Sequence, residues 1–141
     1  MLELLLAAAV GVHPAPECPV RLEVRVEGGR RHFRPRPACP IGFDSTRDAL
    51  RTLLAHAGTD TEARLHMGRI VEYPWLSALL EHAGGRTDNR SVAQTLRGIA
   101  ELGHLFPGWT VTAISVEKVL VRRGRPYDAI LWLTLKRTGA A

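Results

Sequence analysis

Residues 18–39 read CPVRLEVRVEGGRRHFRPRPAC, and the fold turns on how this stretch is paired. Val20, Leu22, Val24 and Val26 alternate with Arg21, Glu23 and Arg25, the period of two expected of a half-buried strand. Gly28-Gly29 supplies the positive φ angles of a tight two-residue turn. A turn centred there pairs residues whose numbers sum to 57, and Cys18 and Cys39 form such a pair. With Glu27–Arg30 closing the turn as a hydrogen-bonded pair, Val24–Phe33, Leu22–Pro35, Val20–Pro37 and Cys18–Cys39 all become non-hydrogen-bonded pairs. Both prolines then fall where the first strand needs no N–H from them. Their missing donors face the other way, which predicts that the second strand is a sheet edge.

This register predicts a Cys18–Cys39 disulfide, with Cα atoms about 4.5 Å apart. Such a bond stabilises by on the order of 3 kcal/mol in the chain-entropy account. No Cys-x-x-Cys pair occurs, so a zinc site is disfavoured. Structural disulfides belong to oxidising compartments, and the N-terminus agrees. Leu4 to Val12 is an apolar run of signal-peptide length, too short to span a bilayer. Its front end carries Glu3 and no basic residue, as it would if the basic region lay upstream. Residues 1–16 are therefore expected to be a truncated signal peptide or an N-terminal extension, with 17–141 one domain. The expected location is periplasmic or secreted.

Beyond the hairpin, Ser45 is expected to cap a helix with Leu50, Leu53, Leu54 and Ala57 on its buried face. Residues 61–71 fit two patterns: Ala63, Leu65 and Met67 alternate like a strand, whereas Met67, Ile70 and Val71 suit a helix. The helix is preferred, with Thr59 and Glu62 as its capping box. Pro74 opens a further helix, and Ser91-Val92-Ala93-Gln94 opens another that should end at Gly103. A second hairpin follows. Thr112, Ile114, Val116 and Leu120 share its core face with Tyr127, Ala129, Leu131, Leu133 and Leu135, interrupted at Lys118. Val119, Val121, Ile130 and Trp132 lie opposite with Glu117, Asp128 and Lys136, a face apolar enough to be partly covered. The expected fold is α+β: an antiparallel sheet made of N-terminal and C-terminal hairpins, with about three helices packed on one face.

The 141 residues, 45% hydrophobic and 23% charged, suit one globular domain and exclude a disordered or collagen-like chain. The net charge of +5 is unevenly placed. Residues 21–36 carry six arginines against two glutamates, and residues 122–137 carry five basic residues against Asp128, so each stretch stands at +4. The candidate binding residues are Arg21, Arg25, His32, Arg34 and Arg36 on the first hairpin, and Arg122, Arg123 and Arg125 on the second. Much of this charge also serves as a solvated face that protects a sheet edge.

Catalytic signals are absent from the sequence. No Gly-x-Ser-x-Gly elbow, phosphate-binding glycine loop or metal-spaced histidine pair occurs, so no catalytic residue, metal or cofactor is assigned. The function expected is an exported, disulfide-stabilised binding or accessory domain, its partner another protein or an anionic envelope component. Nucleic acid is disfavoured by the disulfide and by the lack of an aromatic-and-basic RNA-binding signature. A cytosolic nucleic-acid-binding domain using the basic hairpins is one alternative. The other is a hydrolase whose site assembles only in three dimensions, which a pocket gathering His with a carboxylate would favour.

Overall fold

The structure, a computed structural model, describes residues 6–15 and 17–139. It is an α+β fold with a six-stranded mixed sheet in the order β1-β2-β3-β4-β6-β5. The strands are β1 (Leu6–Ala15), β2 (Cys18–Glu27), β3 (Arg30–Pro37), β4 (Glu62–Arg69), β5 (Trp109–Arg122) and β6 (Arg125–Arg137). The helices are α1 (Phe43–Leu54), α2 (Pro74–Ser77), α3 (Asn89–Arg97) and α4 (Ala100–Gly103), with short 3₁₀ turns between. The expected signal segment lies partly outside the described residues; Leu6–Ala15 is paired to β2.

β2 and β3 pair antiparallel from Glu27↔Arg30 to Val20↔Pro37 with no shift. Gly28 and Gly29 have φ of 58° and 75°, which a side chain at either position would resist. The pairing runs one step past the strand, where Ala38 N donates to Pro19 O at 3.0 Å. Cys18 and Cys39 are disulfide-bonded with Cα atoms 5.9 Å apart, wider than an ideal facing pair because Cys39 lies beyond the end of β3. The expectation that β3 is an edge fails. Its free side takes β4 in parallel, but only at His32↔Arg64 and Phe33↔Leu65. That pairing stops short of Pro35 and Pro37, which have no N–H to give it. The crossover that a parallel pair requires is supplied by α1.

Residues 62–69 form a strand, not the expected helix. Their alternation prevails: Ala63, Leu65 and Met67 are buried on one side. A bulge between His66 and Gly68 then bends β4, with Gly68 at φ 81°. The sheet is consequently mixed and six-stranded, where two antiparallel hairpins were expected.

The second hairpin turns at Arg123-Gly124 (φ 53° and 75°) and carries three register shifts. The shift between Val111 and Ala113 leaves Thr112 exposed. The next, between Val116 and Lys118, turns Lys118 outward and lets Val119 pack against the core in place of Leu120. The third, between Leu120 and Val121, precedes the buried Asp128, which was expected on the outer face. Two helix starts also differ. Gly42 rather than Ser45 is the N-cap of α1. Asp88 caps α3, its Oδ2 accepting from Ser91 N at 2.9 Å, because a carboxylate satisfies a free amide there as well as a hydroxyl does. α3 ends at Arg97, with Ala100–Gly103 a separate turn of helix.

The core is a single cluster. Val20, Leu22, Phe33, Leu65, Met67, Leu131, Leu133 and Leu135 meet Leu50, Leu53, Leu76, Leu80, Val92 and Leu96 from the helices. Burying each such side chain is worth about 1.5–3 kcal/mol. Asp128 fastens the start of β6 to the end of β4 and the turn after it. Its carboxylate accepts from Arg69 Nε (2.5 Å), Val71 N (3.0 Å) and Ala129 N (2.8 Å). Among the described residues no helix is long and apolar enough to cross a membrane.

Candidate binding cleft

The opposite face of the sheet carries a cavity of about 180 Å³ lined by strand residues alone. Glu23, Arg25 and Glu27 come from β2, His32 and Arg34 from β3, His66 from β4, Trp132 from β6 and Glu117 from β5. β2 and β5 are four strand spacings apart, about 19 Å on a flat sheet, so this face curls for its long side chains to share one cleft. Register places the floor. His66 faces Trp132 across β4 and β6, and Trp132 faces Ser115 across β6 and β5.

Trp132 is the hub. The His66 ring lies 4.2 Å from it at 62°, the His32 ring 5.7 Å from it at 85°, and the Arg64 guanidinium stands 4.8 Å over its face. These edge-on and cation–π contacts explain how an outer-face tryptophan is half-covered without a helix above it. Burial disfavours the charged form of both imidazoles. Burial pushes His66 down to about 4, with Arg34 adding to it. Burial also holds His32 below its ordinary value against the pull of Glu27, with Arg64 and Arg25 helping burial.

Three buried nitrogens of this cleft, His32 Nδ1, Arg34 Nε and His66 Nδ1, have no hydrogen-bond partner among the described residues. Two others, His13 Nδ1 and Arg47 Nε, do not line it. Buried polar atoms are ordinarily paired, so three unpaired ones among the residues of one cavity single it out as the candidate site. Glu23 is engaged, accepting from Arg36 Nε at 2.7 Å and facing Arg21 at 3.9 Å. Glu27 approaches His32 Nδ1 only to 3.8 Å, beyond hydrogen-bond reach. Gly68 opens space beside this wall: a Cβ there would stand 3.7 Å from Glu72 and 3.8 Å from Arg34.

Of the residues singled out in the sequence, Arg25, His32 and Arg34 line the cleft, while Arg21 and Arg36 flank it through Glu23. Arg122, Arg123 and Arg125 do not line it. They sit at the tip of the β5–β6 hairpin, where Arg122 lies 4.5 Å over Tyr127. Sequence reasoning missed Glu23, Glu27, Arg64, His66, Glu117 and Trp132 as site residues. Trp132 on an outer face was the available signal; His66 and Arg64 were hidden by the helical assignment of 61–71. Among the described residues no group of three or more His, Cys, Asp or Glu is placed to hold a metal. Comparison with protein families, with characterised proteins and with solved structures finds no match to this chain.

Proposed function

We propose that this protein is an exported, disulfide-stabilised binding domain whose open sheet face is its contact surface, the partner being another protein or an anionic envelope component. The observation that carries this reading is the cleft itself. It gathers buried nitrogens without a partner among the described residues around an aromatic floor, on the side of the sheet away from the helices. The Cys18–Cys39 bond supports the oxidising compartment. Two measurements test the reading. Mass spectrometry after alkylation of the protein from its native compartment should find no free thiol; two free thiols there overturn export. A photo-crosslinking amino acid in place of Arg64, on the open face, should give adducts in intact cells, whereas one in place of Arg97 on α3 should not. Adducts from neither site, or equally from both, remove the open face as the contact surface.

A hydrolase is the second reading, favoured by the gathering of His32 and His66 with Glu23, Glu27 and Glu117 in one cavity. It is weaker on geometry. Ser115 and His66 stand on opposite sides of Trp132, about 10 Å apart at two strand spacings, and neither imidazole is oriented by a hydrogen-bonded carboxylate. Cleavage of RNA or of activated esters by the wild type and not by His66→Gln would establish this reading over the first.

A further inference from the structure

The chemistry of the cleft wall narrows what it can hold. Arg34 has no carboxylate within 4.0 Å among the described residues, and its buried Nε donates to nothing. A guanidinium is always a donor, so an acceptor is required there. His32 and His66 line the same cavity, and each Nδ1 can also donate, since either imidazole tautomer is open to it. The wall is not uniformly basic, however. Among the lining residues, once Glu23 is matched by Arg36, two arginines, Arg25 and Arg34, stand with two carboxylates, Glu27 and Glu117. Neither carboxylate pairs with an Arg or Lys among the described residues, and Glu72 lies beside Arg34 outside the lining. A compact dianion would meet two carboxylates at its rim. A ligand with one negative and one positive group would satisfy both halves.

We propose that the cleft binds the zwitterionic head of an α-amino acid, with the carboxylate at Arg34, His32 and His66, the ammonium toward Glu27 and Glu117, and the body over Trp132. The cavity of about 180 Å³ has the bulk volume of about six waters, enough for such a head and a short side chain. The head can belong to a free amino acid or be carried on a longer molecule through its side chain, and the chemistry at the cleft is the same. This inference rests on the open face being the binding surface, and it fails separately. A face that cross-links a partner but takes no amino acid keeps that reading and removes this one.

The test is a titration of the whole chain followed by NMR, reading the indole N–H of Trp132, assigned through Trp132→Phe, and the imidazole signals of His32 and His66. The probes are L- and D-alanine, Nε-acetyl-lysine, N-acetylalanine, alanine amide and inorganic phosphate, all at constant ionic strength. Alanine of one hand should give saturable shifts at these three residues. N-acetylalanine and alanine amide, each lacking one charge, should bind at least 10-fold more weakly. Nε-acetyl-lysine binding as well as alanine identifies a head carried on a longer molecule; alanine alone identifies the free amino acid. Arg34→Gln should abolish the shifts, and Glu117→Gln should weaken alanine while leaving N-acetylalanine unchanged. No saturable shift with alanine or Nε-acetyl-lysine up to 50 mM (roughly the weakest binding that one charge-assisted contact supports), or tighter binding of phosphate, overturns the proposal.

Discussion

The two hairpins of this sheet use the same device and end differently. Each turns on two residues of positive φ, Gly28-Gly29 in one and Arg123-Gly124 in the other. From Glu27↔Arg30 outward, β2 and β3 keep one register to their ends, and the disulfide lies just beyond. β5 and β6 shift register three times over a longer run. Long strands twist and curl to follow a small core, and bulges are how a regular ladder accommodates that bending. The short hairpin therefore supplies a rigid, uniform wall of alternating charge. The long one supplies curvature, and its shifts bring Glu117 into the cleft and Asp128 into the interior.

If the bulged hairpin depends on Asp128, removing that carboxylate should have the largest effect of any single change considered. Asp128→Ala strands the buried amide of Ala129 and the part-buried amide of Val71, each worth about 1–3 kcal/mol when left unpaired, so a loss of about 3–4 kcal/mol is expected in urea unfolding. A loss below about 1 kcal/mol would mean that the shift near β6's start is set by the turn and not by the carboxylate. The straight hairpin is tested by Cys18→Ser with Cys39→Ser. The bond spans a sequence separation of 21, so about 3 kcal/mol should be lost, with the open-face NMR signals unchanged. Loss of those signals would show that the β2–β3 wall is not rigid by itself.

These hairpins also explain how far the sequence could be read. The β2–β3 register was legible because alternation, the Gly-Gly turn, the prolines and the cysteine pair all constrain one integer, and no bulge intervenes. In β5, Lys118 breaking an apolar alternation was the mark of a bulge; treated as an interruption, it left Leu120 where Val119 belongs. For β4, the helical and strand patterns share Met67, and local pattern could not decide between them. The decision came from outside: Phe33 and Leu65 pair across β3 and β4, and β6 pairs along β4's other side. The cleft inherits both difficulties. Arg25, His32 and Arg34 lie on the legible hairpin, whereas His66 depends on β4 being a strand and Glu117 on a bulge.

The bulge of β4 allows a smaller test of the contrast between straight and bent strands. Gly68 sits at φ 81°, and a Cβ there would meet only ordinary contacts at 3.7 and 3.8 Å. The penalty of Gly68→Ala is therefore conformational, about 1–2 kcal/mol in unfolding free energy. Gly29→Ala, at φ 75° with nothing within 4 Å, should lose a similar amount, which makes it the matched control. A much larger loss at Gly68 alone would show that the bend of β4 also positions Arg34 and Glu72.

His66 carries the smallest effect at neutral pH and the most specific one on acidification. Burial, with Arg34, Arg25 and Arg36 nearby, depresses its folded-state pKa to about 4 from 6.5. Above pH 6.5 neither state binds the proton, so His66 adds no pH dependence. Between 6.5 and about 4 the unfolded chain takes up the proton and the folded chain does not, so stability falls as pH falls through that window. Glu72 acts in the opposite sense: burial raises its pKa, so the folded state gains a proton first as pH falls. Comparing urea midpoints at pH 7 and pH 4.5 in the wild type and His66→Gln isolates the imidazole, because Glu72 is common to both. The wild type should lose more stability over that interval than the variant. Equal losses would place the His66 ring in water, and with it would go the buried floor on which the cleft is built.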